Sequence, residues 1–331
     1  MGRAGTTRAS VRDVAARAGV STQTVSRVIN DSPQLRPATR ARVEAAMAEL
    51  GYRVNNAARS LGTATTRTVG VVASDATLHG PSAGIAALDA AAREADRWIA
   101  TAYSDAADPA AVADAASRLL AQGVDALIVV APHTATLAAL REAAGDTPAG
   151  ALHTGPGAER QRQAAGLAVA HLVSLGHRRI ARVAGPADWL EANARDDGAA
   201  SALEDAGLAA GRVWRGDWTS ATAAALGAEI AAAVRAPDGP TAIAVANDQM
   251  ALGLIAGLRR EGLHVPADVS VTGFDDNPEA AFYAPALTTV RIDTAGEARR
   301  VIVEVLGLSG SVAPPAAPTL IVRDSTAPPR S

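Results

Sequence analysis

The sequence predicts a small all-α head containing a helix-turn-helix, a short basic hinge, and an α/β body of two doubly wound parallel-sheet lobes. Three observations carry that prediction. Residues 10–51 hold short apolar stripes at helical spacing around a glycine-containing turn. From residue 68 onward, continuous apolar runs such as ALIVV and AIAVA alternate with helical segments, as in parallel sheets covered on both faces. A chain of 331 residues is also too long for one small domain and suits a head with larger lobes.

In the head, Ser10 is followed three residues later by Asp13, so the hydroxyl can accept from a first-turn amide while the carboxylate reaches back. Val11, Val14, Ala15 and Ala18 share one face of the helix that starts there, and Gly19 permits the turn after it. Ser21 caps a second helix, Thr22 to Ile29, with Val25, Val28 and Ile29 inward and Thr22, Gln23, Ser26 and Arg27 outward. The outward set has the chemistry of major-groove reading. Gln can address adenine through two bonds, Arg can do the same with guanine, and Thr can place its methyl against thymine. Ser21, Thr24, Ser26 and Asn30 are short donors suited to phosphate oxygens. A third helix, with Pro37 in its first turn, the stripe Thr39, Val43, Ala46, Met47 and Leu50, and Gly51 as its stop, should clamp the other two.

Charge divides the chain at the same place. Residues 1–62 carry ten Arg against four acids, a net +6, while the remainder carries −9 of the overall −3. A basic head on an acidic body directs a polyanion to one end. All 31 basic residues are Arg, which fits a coding bias better than a function. No Cys is present, the N-terminus lacks an apolar signal core, and no run approaches the ~20 apolar residues of a membrane span, so a cytoplasmic protein is expected.

In the body, strands are expected at 68–74, 98–103, 124–130, 148–153, 179–184, 241–246 and 269–274. Helices are expected near 82–97, 109–122, 134–144, 163–175, 190–206, 219–234 and 248–261. The Pro/Ala stretch 313–318 reads as a crossover into a last apolar strand, TLIV. The domain divisions are therefore 1–54 for the head, 55–66 for hinge and linker, and 67–331 for the body.

The run DVAARAGVSTQTVSRVIN closely resembles the DNA-binding head of the lactose-repressor family of bacterial transcription regulators, and EAAMAELGYRVNNAARSLG resembles its third helix and hinge. TLHGPSAGIAAL, HLVSLGHRRIARVAGP, GDWTS, VANDQMALG, DVSVTGFDD and APALTTVR resemble its effector domain, itself similar to periplasmic sugar-binding proteins. The resemblance implies that Thr22, Gln23 and Arg27 choose bases. It also implies a hinge helix on DNA, capped by Asn55, with Ala58 on the groove floor, Arg59 near phosphate and Leu61 wedged into the minor groove. It further implies a homodimer on a pseudo-palindromic operator, and a small effector in the cleft between lobes at the carboxyl ends of the strands.

A sugar needs polar partners for its hydroxyls and a flat apolar surface for its ring. By motif match, Ser74, Arg195, Trp218, Asn247 and Asp275 fall on ligand-contact positions, and Leu78 with Ser74 lines the first strand-to-helix loop. Each has a plainer role open to it. Asp275 could cap a helix within Asp275-Asp276-Asn277, Asn247 could cap the helix from Asp248, Trp218 could be core, and Arg195 could pair with Asp196 and Asp197 in solvent.

Other classes fare worse. The six His show no metal-ligand spacing, and neither a Walker A loop nor a glycine-rich dinucleotide turn is present, so no enzyme, metal or cofactor is expected. His171 and His177, which flank the helix end LVSLGH, read as helix C-cap residues. A transport-type binding protein would lack the head. A ligand-independent DNA-bending regulator, using the body only to dimerise, is the remaining alternative.

Overall fold

The computed structural model describes residues 9–30, 32, 34–53, 65–74, 77–105, 107–309 and 313–330. Asn55, Ala58, Arg59 and Leu61, with the hinge helix expected around them, lie outside the described residues. Two compact units divide between Arg67 and Thr68.

The first unit holds α1 (Val11–Ala18), α2 (Thr22–Ile29) and α3 (Pro37–Glu49). The capping box forms: Ser10 Oγ accepts from Asp13 N, and Asp13 Oδ2 accepts from Ser10 N at 2.7 Å. Gly19 ends α1 in the left-handed region at φ 65°, where glycine carries no Cβ penalty. Val14, Val25 and Val43 meet at the centre of the three helices, fully buried, with Ala15, Ala18, Val28 and Ala46 around them. Ile29, Thr39, Met47 and Leu50 are only half-buried, and Leu35 and Tyr52 close the rim. Those two lie outside the helical stripes, which is why periodicity did not mark them.

The second unit has two lobes. The first contains β1 (Thr68–Ala73), α4 (His79–Glu94), β2 (Trp98–Tyr103), α5 (Pro109–Ala121), β3 (Ala126–Val129), α6 (Thr134–Ala144) and β4 (Ala149–Ala151), with a parallel sheet ordered β2-β1-β3-β4. The chain then runs into the second lobe through α7 (Pro156–Ser174). That lobe holds β5 (Ile180–Ala184), α8 (Leu190–Asp205), β6 (Val213–Arg215), α9 (Ser220–Ala225), α10 (Gly227–Arg235), β7 (Ala242–Val245), α11 (Asp248–Arg260) and β8 (Ser270–Thr272), its parallel sheet ordered β6-β5-β7-β8. Both sheets reverse direction of winding beside their first strand, and a crevice opens there at the carboxyl ends. The core strands β1, β3, β5 and β7 are buried nearly throughout, as their unbroken apolar sequences require.

Several elements differ from expectation. Helix α7 starts at Pro156, seven residues before the expected start, because Gly155 turns the chain and Pro suits the first helical position. The helix expected over 219–234 is two, α9 and α10, meeting at Leu226. Gly227 there lies so close to the α11 backbone that a Cβ would stand 2.7 Å from Gly257. Strand β6 and a strand–helix pair, β9 (Thr289–Arg291) and α12 (Thr294–Leu306), were not expected. Helix α12 returns the chain to the first lobe, where Val305 and Val301 pack over Gly150 of β4. The TLIV strand forms as β10 (Thr319–Ile321), antiparallel to β9, and the tail re-enters the second lobe where Val271 N donates to Ser325 O at 2.9 Å. His171 and His177 do not cap. His177 bonds Thr241 Oγ1, Ser270 Oγ and the Ala327 carbonyl, and His171 bonds Thr326, so both pin that tail.

Candidate functional site

In the first unit, α2 presents Thr22, Gln23, Ser26 and Arg27 as exposed side chains on one face, while Val25 and Val28 anchor the other. Ser21 is its N-cap, with Oγ accepting from Thr24 N at 3.1 Å and sharing a 3.0 Å bond with the Thr24 hydroxyl. Asn30 Nδ2 donates to Ser26 Oγ at 3.4 Å. The short polar residues thus hold the ends of the helix and keep it free to present Gln23 and Arg27.

In the body, a cleft is lined by Leu78, Gly80, Pro81, Trp189, Glu191, Arg195, Trp218, Asn247 and Asp275. Every one of these follows the carboxyl end of a strand: β1 for the first three, β5 for the next three, then β6, β7 and β8. Five of the six effector residues expected from sequence are therefore together. Ser74 follows β1, 5% exposed with its hydroxyl unpartnered, but is not among the lining residues.

Arg195 is the centre of the cleft. Its Nε donates to Gln161 Oε1 at 2.8 Å, its Nη1 donates to the Ala246 carbonyl at 2.6 Å, and Nη1 stands 3.3 Å from Asp275 Oδ1. The guanidinium lies 3.8 Å over the Phe274 ring and 5.4 Å from the Trp218 ring. Solvated pairing with Asp196 and Asp197 is not what forms: Asp196 instead takes Arg182 Nε at 2.8 Å and Arg215. Burial pushes the Asp275 carboxyl up, and the Arg195 cation pulls against it. Asp275 caps no helix. At φ 107° it turns into the cleft, while Asp276 at φ 50° turns out to accept from Arg323 and Arg291 at the β9–β10 crossover.

Asn247 fulfils the plainer role as well. Its Oδ1 accepts from Met250 N at 2.8 Å as cap of α11, and its Nδ2 donates to the Trp218 carbonyl at 3.1 Å. Trp218 adopts φ 75° and is 4% exposed, with its ring laid on Gly185, where a Cβ would come within 2.5 Å. Its edge meets Trp189 at 5.5 Å, and Trp189 meets His133 at 4.8 Å. His133 also pairs with Asp188 at 3.0 Å, and His79 N donates to Gln249 Oε1 at 3.0 Å, so two contacts bridge the lobes beside the cleft.

Asp248, next to Asn247, is fully buried and lies behind the cleft. Its carboxyl, pushed up to about 8 by burial and then by Asp275, accepts from Thr289 Oγ1 at 2.5 Å and Asn277 N at 2.8 Å. Trp189, Glu191, Gly80 and Pro81 were not singled out from sequence. Their position just past strands β1 and β5 was the signal available for them. Among the described residues no group of three or more His, Cys, Asp or Glu could hold a metal, and no helix is long and apolar enough to cross a membrane.

Comparison with known proteins places both units. Residues 10–55 match the model of the bacterial regulatory proteins, lacI family, and residues 169–326 match a periplasmic binding protein-like domain. The chain is 35% identical to the lactose operon repressor of Escherichia coli over 293 residues, covering 85% of this chain and 79% of that one. It superposes on the lac repressor dimer bound to operator and the anti-inducer ONPF with a TM-score of 0.79 at 31% identity, covering 97% of this chain and 100% of the other. A complex of the transcriptional regulator CelR with cellobiose gives 0.65 at 29% identity, covering 96% and 100%. With a capped helix-turn-helix, a two-lobed body and relatives aligned across nearly the whole length, this chain belongs to the lacI family of bacterial regulatory proteins.

Proposed function

We propose that this chain is a dimeric, sequence-specific transcriptional repressor whose grip on a pseudo-palindromic operator is released by a small carbohydrate bound in the body cleft. The observation that carries the reading is the convergence of Arg195, Asp275, Asn247 and Trp218 on one cleft at the strand ends, in a chain that also exposes Thr22, Gln23 and Arg27 on a capped helix. Thr22, Gln23 and Arg27 read base edges, and Ser21, Thr24, Ser26 and Asn30 contact the backbone. Asn55, Ala58, Arg59 and Leu61 form the minor-groove hinge within residues 55–66, between a head of 1–54 and a body of 67–331. Ser74, Leu78, Arg195, Trp218, Asn247 and Asp275 hold the effector. The coupling is one bistable element biased from two sites: ligand in the cleft shifts the lobes and the hinge loses order. The protein acts in the cytoplasm and performs no catalysis.

The test is an operator selected from random DNA and titrated at fixed salt with and without mono- and disaccharides. A sugar that lowers affinity supports the reading. Tight operator binding indifferent to every sugar favours a ligand-independent regulator instead.

A further inference from the structure

Two carboxylates and one guanidinium line the cleft, and they are not matched. Asp275 faces Arg195 Nη1 at 3.3 Å, whereas Glu191 has only Arg195 Nη2 at 4.0 Å, beyond hydrogen-bond reach. Glu191 is 7% exposed and accepts no hydrogen bond from another described residue. It stands in the first turn of α8. A carboxylate at such depth is costly unless it is both paired and hydrogen-bonded. Other titratable groups around Asp275 are His79, His153, Asp248 and Tyr283, and none of them bonds to Glu191.

A second, independent observation concerns Trp218. Its indole Nε1 is buried without a partner, on a ring 4% exposed that lines the same cleft. Its N–H needs an acceptor such as a hydroxyl.

We infer that the effector is a sugar bearing a protonated amine, its hydroxyls read by Asp275 and Arg195 and its ammonium by Glu191. This rests on the carbohydrate reading above. A neutral sugar leaves Glu191 with a weaker donor, whereas an ammonium supplies charge-assisted bonds and balances the carboxylate.

The test uses the full-length protein at pH 6.5, with tryptophan fluorescence reporting binding. D-glucosamine, D-galactosamine and D-mannosamine are each compared with the parent hexose and the N-acetyl derivative. At least one amine should bind roughly tenfold tighter than both of its controls, and Glu191→Gln should bring that ratio close to one. A hexose that binds as tightly as its amine overturns the amine assignment and leaves the carbohydrate reading standing. An amine preference that survives Glu191→Gln overturns the role of Glu191. Binding by none of the nine compounds overturns both.

Discussion

Replacing Arg195 with Met tests whether the cleft is held open by a buried cation. The substitution keeps most of the aliphatic volume over Phe274 and removes the charge. At 3.3 Å and an effective dielectric of ~20, the gross attraction between Arg195 and Asp275 is ~5 kcal/mol. The bonds to Gln161 and the Ala246 carbonyl are lost as well. Against these stands the desolvation that the guanidinium no longer suffers, so the net cost of breaking the buried pair is expected at ~3–4 kcal/mol. The loss should depend on pH. Burial already raises the Asp275 carboxyl, and without the cation it climbs further. A carboxyl raised in the folded state is tolerated below its unfolded value near ~3.9 and costs stability as pH rises through the folded value. The deficit should therefore be smaller at pH 4.5 than at pH 8. Urea unfolding followed by tryptophan fluorescence reads the body alone, because Trp98, Trp189, Trp214 and Trp218 all lie there. Combining Arg195→Met with Asp275→Leu should recover ~2 kcal/mol or more. A single-variant cost below ~1 kcal/mol, or the same cost at both pH values, would refute the reasoning.

Three further outcomes are expected. Gln23→Ala should relax base preference at about one operator position, at ~1–3 kcal/mol, without changing head stability; selection of binding sites for the variant checks this. Gly185→Ala places a methyl 2.5 Å from the Trp218 ring and should cost ~1–3 kcal/mol while shifting tryptophan emission and weakening effector binding, and an unchanged spectrum would count against the packing. Asp248→Asn should flatten the pH dependence of stability. The wild-type carboxyl, at about 8 when folded, contributes stability below its unfolded value that is lost as pH rises toward 8. The variant should overtake the wild type at pH 9 in urea midpoints, and parallel profiles would contradict the assignment.

The head was legible in the sequence because its determinants are local. Ser10, Asp13, Gly19 and Ser21 act within four residues of the helix ends they define, and the inward and outward faces of α2 follow from a 3.6-residue repeat alone. The core strands were legible because parallel strands covered on both faces must be apolar throughout. Peripheral pieces were not. Strands β6 and β9 are three residues each and take their conformation from a neighbour, so no pattern within them announces a strand. Helix α12 has a stripe of its own, but its return to the first lobe depends on Gly150 leaving room for Val305.

By itself, then, the sequence determined the helix-turn-helix, the alternation of strands and helices, and the ends of the core strands, since all three depend on short-range spacing. Only the tertiary structure decided which of those residues share a cleft. Asp275 and Asp276 are chemically identical neighbours, yet one pairs with Arg195 and the other with Arg323. Glu191 resembles any first-turn acid until folding buries it beside a cation whose other bonds go to Gln161 and Ala246. Side-chain direction and the balance of buried charge are set by contacts between segments far apart in the chain, and local spacing carries no record of them.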